Sequence, residues 1–168
     1  MAEPSRQRQV AVIGSARCDQ DSELAGLAEE VGRLLGEAGV VLVNGGMGGV
    51  MEAASRGAAK AGGVVIGIVP SDSTEHANPH CTHVIATGIG QARNLAVVAS
   101  GEAVIAIGGE WGTLSEIAFA RRLGRDVVTL RSWRAQGEGA MAEMPGVSAA
   151  ESAAAAVSLA LAAIGEAD

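Results

Sequence analysis

Short apolar runs alternate along the chain with longer stretches whose apolar residues recur at helical spacing. Val10–Ile13, Val40–Val43, Val64–Val69, Ala103–Ile107 and Asp126–Leu130 predict buried strands, and Thr82–Ala86 predicts a further short one. The first four end at Gly14, Asn44-Gly45-Gly46, Pro70 and Gly108-Gly109. Ser22–Gly36 predicts a helix, because Leu24, Leu27, Val31, Leu34 and Leu35 fall on one face. Val50–Ala61 reads as a helix of small residues stopped by Gly62-Gly63. Gln91–Ser100, Thr113–Leu123 (closed by Gly124) and a C-terminal helix over 149–165 complete the set. Residues 1–8 read as a flexible start, Ser71–Pro79 as a polar loop and Gly137–Gly146 as a mobile one.

Strands apolar on both faces, alternating with helices, belong to a parallel sheet covered on both sides. Right-handed crossovers wind residues 1–168 into a single α/β domain, a doubly wound, Rossmann-like sheet with helices on both faces. In such sheets ligands bind beyond the carboxyl ends of the strands, where strand order reverses. That rule brings three glycine-bearing segments together: Gly14-Ser15-Ala16, Asn44–Gly49 and Gly108–Thr113.

Composition narrows the function. The 168 residues suffice for one substantial core, and 48% of them are hydrophobic, which argues against disorder. A formal charge of −7 and a single lysine, Lys60, leave no basic surface for nucleic acid. With Phe119, Trp111 and Trp133 as the only aromatic residues, there is no stacking platform for single strands. Cys18 and Cys81 make no disulfide framework and fit a reduced, cytoplasmic protein. The polar start has no apolar signal segment, and Ala153–Ile164 is too short to span a bilayer, so no membrane is expected.

Glycine lets backbone N–H groups approach a ligand with no Cβ in the way. A following helix start adds unpaired N–H groups and the positive end of a dipole, which together make an anion site. Gly108-Gly109-x-x-Gly112-Thr113 and Gly45-Gly46-Met47-Gly48-Gly49 both have this form. Neither is a standard nucleotide motif. No lysine is available for a Walker loop, and only Gly14 follows the first strand, where a dinucleotide fingerprint needs three glycines. Two readings stand: tight βα turns without a ligand, or a shared cleft for phosphate. The cleft reading gives a binding set of Gly14, Ser15, Gly45, Gly46, Met47, Gly48, Asn94, Gly108, Gly109, Gly112 and Thr113.

Glu116 also has two readings. Thr113-x-x-Glu116 has the spacing of a capping box. Alternatively Glu116 faces the cleft beside a sugar, where a carboxylate stabilises positive charge at an anomeric carbon. Arg93 stands at a helix start, where a cation is disfavoured, so a ligand contact is expected of it. Asn94 caps the same helix or touches the ligand.

Gly108–Glu116, read as G-G-x-x-G-T-x-x-E, resembles the second half of the P-G-G-x-G-T-x-x-E motif of the LONELY GUY (LOG) family, long labelled possible lysine decarboxylases. Gly45–Met51 is similar to the family's G-G-G-x-x-G-L-M-G, and the likeness continues through Gly62–Pro70, covering roughly Gln9–Leu130. The resemblance implies phosphoribohydrolase chemistry, the cleavage of a nucleoside 5′-monophosphate to free base and ribose 5-phosphate. It implies that Gly112 and Thr113 hold the phosphate and that Arg93 and Glu116 are catalytic. It also implies a homodimer or larger homo-oligomer, joined through the helices that flank the motif strand.

Ile107 stands where the motif has proline, and Gln91-Ala92-Arg93-Asn94 stands where the family has H-E-R-K, so only the arginine is kept. In this the chain is more similar to the branch that includes the molybdenum-cofactor carrier proteins, which bind a phosphorylated pterin without known hydrolysis. The expected function is that of a phosphoribohydrolase-like protein acting on a small-molecule nucleotide. The alternative is a non-catalytic carrier for a phosphorylated ligand such as molybdenum cofactor. Neither reading assigns a resident cofactor. Pyridoxal chemistry needs a Schiff-base lysine, and Lys60 ends a helix that leads away from the cleft. A DNA-processing role within the wider fold group is disfavoured by the acidic charge.

His76, His80, Cys81 and His83 lie close together but match no zinc-ligand spacing, and no metal is assigned to them. Cys18 reads as a small buried residue beside the cleft. Trp111 reads as a ligand cover or part of a dimer interface, and Arg121 and Arg122 as solvated or interfacial.

Overall fold

The computed structural model describes residues 6–133 and 145–165. Seven strands, β1 (Gln9–Gly14), β2 (Val41–Asn44), β3 (Val65–Val69), β4 (His83–Ala86), β5 (Ala103–Ile107), β6 (Asp126–Leu130) and β7 (Val147–Ala150), form one sheet. Their order is β4-β3-β2-β1-β5-β6-β7 and every pairing is parallel. The helices are α1 (Glu23–Glu37), α2 (Val50–Lys60), α3 (Arg93–Ser100), α4 (Trp111–Arg122) and α5 (Ala153–Ala163). This is the α/β, Rossmann-like architecture expected from the apolar runs.

Alternate residues of a strand point to opposite faces, which splits the core in two. Val10, Val12, Leu42 and Ile105 pack with buried residues of α1, α2 and α5, whereas Ala11, Ile13, Val43 and Val104 pack with those of α3 and α4. Every residue of β5 is buried, as a central strand covered on both faces must be.

α1 and α2 cross almost backbone to backbone. A Cβ on Gly57 would stand 1.9 Å from the Glu29 carbonyl oxygen, and one on Gly32 would stand 2.0 Å from that of Ala54. Beyond this crossing, the start of α2 meets the end of β1, where the Val50 N–H donates to the Ser15 carbonyl oxygen (2.9 Å).

The chain departs from its sequence pattern near the end. Asp126–Leu130 is not the last strand, because Val147–Ala150 pairs beside it from Val127↔Val147 to Leu130↔Ala150. The alanine-rich stretch has helical propensity from Ala149, but pairing with β6 overrides propensity there. Ser152, whose hydroxyl oxygen accepts from the Ala155 N–H (3.1 Å), starts α5 at Ala153 instead. The helix expected from Thr113 starts two residues earlier, at Trp111. Residues 1–5 of the expected flexible start and 137–144 of the expected mobile loop lie outside the described residues. Arg8 is tied down, its Nη2 donating to the Leu161 carbonyl oxygen (3.0 Å). Among the described residues no helix is long and apolar enough to cross a membrane.

The glycine crossing is testable by urea denaturation. Gly57→Ala should lower the unfolding free energy by roughly 1–3 kcal/mol, the usual cost of overpacking. Gly26→Ala, at an exposed position of α1 where an added Cβ has nothing within 4 Å, should raise it by about 0.5–1 kcal/mol through helix propensity.

Candidate functional site

β1 is flanked by β2 on one side and β5 on the other, so strand order reverses there. At that place, beyond the carboxyl ends of β1, β2, β3 and β5, lies a cavity of about 330 Å³. Its walls include Gly14 and Ser15 after β1, Gly45 and Met47 after β2, and Arg93 and Asn94 from α3. Gly112, Thr113 and Glu116 of α4 complete the set of sequence-predicted residues that it brings together.

The loop after β2 is held from behind by a buried polar network. Asn44 is fully buried; its Oδ1 accepts from the Gly46 N–H (2.8 Å), and its Nδ2 donates to the Met51 carbonyl oxygen (3.0 Å) and to Ser55 Oγ (2.9 Å). From the polar loop, the Asn78 N–H donates to the Gly46 carbonyl oxygen (2.7 Å) and Asn78 Nδ2 to that of Met47 (3.0 Å). Gly45 is thereby fixed beneath Arg93. A Cβ there would stand 2.8 Å from Arg93 Nη2 and 2.7 Å from Met51 Sδ, so a larger residue would displace both.

Gly46, Gly48, Gly108 and Gly109 are not among the lining residues. Gly46 packs against Val69 and Gly67, Gly108 against Leu24 and Gly109 against Thr113. They shape the turns that carry their neighbours to the cavity.

The motif loop ends at Glu110, the N-cap of α4, which makes no side-chain cap. Leu114 is the first residue of α4 whose N–H finds a helical carbonyl, that of Glu110 (3.1 Å). Gly112 and Thr113, which precede it at the positive end of the helix dipole, are both cavity-lining residues. Because α4 starts at Trp111, Thr113 is an internal, buried helix residue and the capping box does not form. Among the described residues Glu116 accepts no hydrogen bond, and its position on the cavity wall is what remains to account for it.

Arg93 and Glu116 are each only 7% exposed. Arg93 Nη1 donates to Asn94 Oδ1, and its buried Nε has no partner. Burial pulls the guanidinium down from its ordinary value, with the Glu116 charge opposing. Burial pushes the Glu116 carboxyl up from 4.5 to about 7, against the pull of Arg93. The two groups share one cavity wall without forming an ion pair.

Ala16 and Glu110, inside the segments expected to converge, and Gln91, Met51 and Pro70, inside segments that carry the family likeness, line the cavity as well, and so does Arg17, which had no signal in the sequence. Lys60 lies elsewhere, its Nζ paired with Glu29 Oε1 (2.8 Å) on the α1–α2 face. Cys81 packs inward, its Sγ 2.6 Å from where a Gly67 Cβ would stand, and burial raises its thiol. Trp111, 76% exposed, meets Trp133 with ring centroids 5.4 Å apart. Trp133 Nε1 donates to the Glu110 carbonyl oxygen (3.2 Å), which braces the motif loop.

The raised Glu116 value has a consequence for stability. The native carboxyl holds its proton to higher pH than the unfolded one, so stability falls as pH rises from about 4.5 to about 7. Ligand-free Glu116→Gln should match the wild type near pH 4 and melt at a higher temperature at pH 8. Parallel melting curves across that range for both proteins would show that the carboxyl is not held protonated.

Residues 7–157 match the SLOG cluster4 family. Over 123 residues the chain is 45% identical to an uncharacterized protein of Archaeoglobus fulgidus, a match covering 73% of this chain and 80% of the relative. Among solved structures it is similar to the molybdenum cofactor binding protein of the phototrophic bacterium Rippkaea orientalis. That protein is 35% identical with a TM-score of 0.80, over 92% of this chain and 95% of the other. The molybdenum cofactor carrier protein of Chlamydomonas reinhardtii is 26% identical with a TM-score of 0.83, over 96% of this chain and 100% of the other. The glycine loops, the fold and these likenesses agree: the chain belongs to the SLOG cluster4 family, in the branch of the LOG superfamily that resembles the molybdenum-cofactor carriers.

Proposed function

We propose that the chain binds a phosphorylated small molecule in this cavity and holds it without turnover, with molybdenum cofactor as the first candidate. One observation carries the reading. Arg93 is buried in the cavity wall with no ion-pair partner among the described residues, and the first turn of α4 lines the same space through Gly112 and Thr113. An unpaired buried polar group costs free energy until a partner arrives. A phosphate matches the guanidinium charge, which no ion pair among the described residues meets, and meets the α4 dipole. The likeness to the Rippkaea protein supports the choice of cofactor.

Equilibrium binding of molybdenum cofactor and of AMP to the full chain tests this. Both should saturate one site, and Arg93→Ala should weaken binding by about 10–100-fold, the scale of one lost charge-assisted hydrogen bond. Failure of both phosphorylated ligands to bind would sink the reading. A second reading, N-glycosidic hydrolysis, is favoured by Glu116, a buried carboxyl titrating near neutrality in the same cavity. In that reaction water adds to C1′, the C1′–N bond breaks and the base leaves with a proton. Ionised Glu116 steadies the charge at C1′ and Arg93 orients the sugar phosphate. Free base released from AMP by the wild type, and none from Glu116→Gln that still binds AMP, would replace the carrier reading with this one.

The reading includes a second copy of the chain. Gly112, Glu116, Phe119 and Leu123 follow one another at steps of four, three and four residues, one stripe along α4 and past its end. Phe119 and Leu123 are 40% and 44% exposed, and Leu95 on the neighbouring α3 is 44% exposed. Pairing through this face covers apolar surface next to the cavity. Light scattering should give a dimer for the wild type and a monomer for Phe119→Asp; a monomeric wild type rules the pairing out.

A further inference from the structure

The turn between β5 and α4 has little to hold it from within. Gly108 and Gly109 both stand at positive φ (58° and 117°), and neither has a Cβ to bias the backbone. α1 and α5 are started by their own serines, whereas α4 has no side-chain cap. The turn is fixed from outside, by the residues that follow β6.

The Gly108 N–H donates to the Leu130 carbonyl oxygen (3.0 Å), which joins the turn to the end of β6. Arg131 then takes φ +52, and among the described residues it is the only non-glycine residue at positive φ. A side chain is sterically disfavoured in that region and persists there only where its surroundings demand it. Two donors follow it. Ser132 Oγ donates to the Gly108 carbonyl oxygen, and Trp133 Nε1 donates to that of Glu110 (3.2 Å). The Glu110 oxygen also accepts from the Leu114 N–H (3.1 Å), so a single atom ties Trp133 to the first turn of α4. The Trp133 ring lies against Trp111, the first residue of that helix. Because a peptide unit is planar, holding the Gly108 and Glu110 carbonyls also orients the N–H groups of Gly109 and Trp111.

We infer that Ser132 and Trp133, presented by the left-handed turn at Arg131, are positioning residues for the anion site. They hold the first turn of α4, and with it Gly112 and Thr113, at a fixed place relative to Arg93. The inference rests on the anion reading above and adds the parts that set its geometry. Arg131, Ser132 and Trp133 do not line the cavity, so they act through the turn and not on the ligand. A helix dipole acts over little more than its first turn, and a site loosened there loses affinity. The Arg131 charge is not what counts. Its pairing with Glu23 (3.3 Å) is mostly exposed and contributes little.

Calorimetry on the full chain with AMP, at a temperature where the protein is fully folded, tests the clasp. Trp133→Phe keeps a ring against Trp111 and removes the donor. It should weaken AMP binding about 3–10-fold, the scale of one neutral hydrogen bond. Ser132→Ala should weaken it by a similar factor, and Ser132→Thr, which keeps the hydroxyl, should restore it. A residue that served only the fold would lower the melting temperature and leave the affinity of the folded chain unchanged. Arg131→Gly and Arg131→Val both remove the charge, so their difference reads the backbone. Glycine accepts the left-handed turn and should keep the affinity, whereas valine resists it and should lose about as much as Trp133→Phe. Unchanged affinity in Trp133→Phe and Ser132→Ala would overturn the clasp and leave the anion reading in place. So would equal affinities of the two Arg131 variants. A wild type that binds neither AMP nor molybdenum cofactor would overturn both.

Discussion

A guanidinium buried without a matching ion pair is the constraint around which this site is arranged. Taking Arg93 out of water costs several kcal/mol unless its donors and its charge are met. Asn94 meets one donor, Glu116 acts on it through space, and Nε is met by nothing. The position opposite is glycine, and a Cβ on Gly45 would push the Arg93 guanidinium and the Met51 thioether aside. Gly45 in turn is placed by Asn44, Ser55 and Asn78, none of which borders the cavity. A small set of buried polar residues is therefore committed to presenting one unsatisfied cation. Folding tolerates such a group at a ligand site, where the missing partner comes from outside.

The rest of the fold supplies rigidity at that point. α2 is pressed onto α1 through Gly32 and Gly57, so its start cannot move without opening a helix crossing. That start is bonded to the β1 loop and carries Met51 to the cavity. On the other face, α3 and α4 carry Arg93 and Glu116 from a core of Val97, Val98, Ile117 and Ala120. The two halves of the core thus hold opposite walls of one cleft, and the wholly buried β5 lies between them.

Much of this was legible in the sequence. Strand runs apolar on both faces can lie only in a covered parallel sheet, and that sheet brings strand ends together. The convergence of Gly14, Gly45, Arg93, Gly112 and Glu116 follows from that topology without any knowledge of side-chain contacts. β7 was not legible, because Val147–Ala150 is short and its last two residues, Ala149 and Ala150, read as the start of the alanine-rich helix until β6 provides an edge to pair with. The start of α4 was missed for a local reason. Threonine followed by glutamate at the right spacing mimics a cap, and only the turn at Gly108–Glu110 reveals that the helix begins before it. Arg17 escaped because a loop arginine has no pattern of its own; what makes it a lining residue is its neighbours in space.

The same groups serve either reading of the cleft, and the proton on Glu116 separates them. An ionised carboxylate steadies positive charge on a sugar, whereas a protonated one donates a hydrogen bond to an oxygen of a bound ligand. In the free protein burial leaves the two forms near balance at neutral pH. A phosphate dianion seated on Gly112 and Thr113 would sit in the field of Glu116 and raise its pKa further, as like charges do. Binding of the anion therefore draws a proton onto the residue that hydrolysis needs deprotonated. Arg93 opposes this only in part, since the phosphate competes for its charge. On the proposed carrier reading, that shift favours keeping the ligand over hydrolysing it.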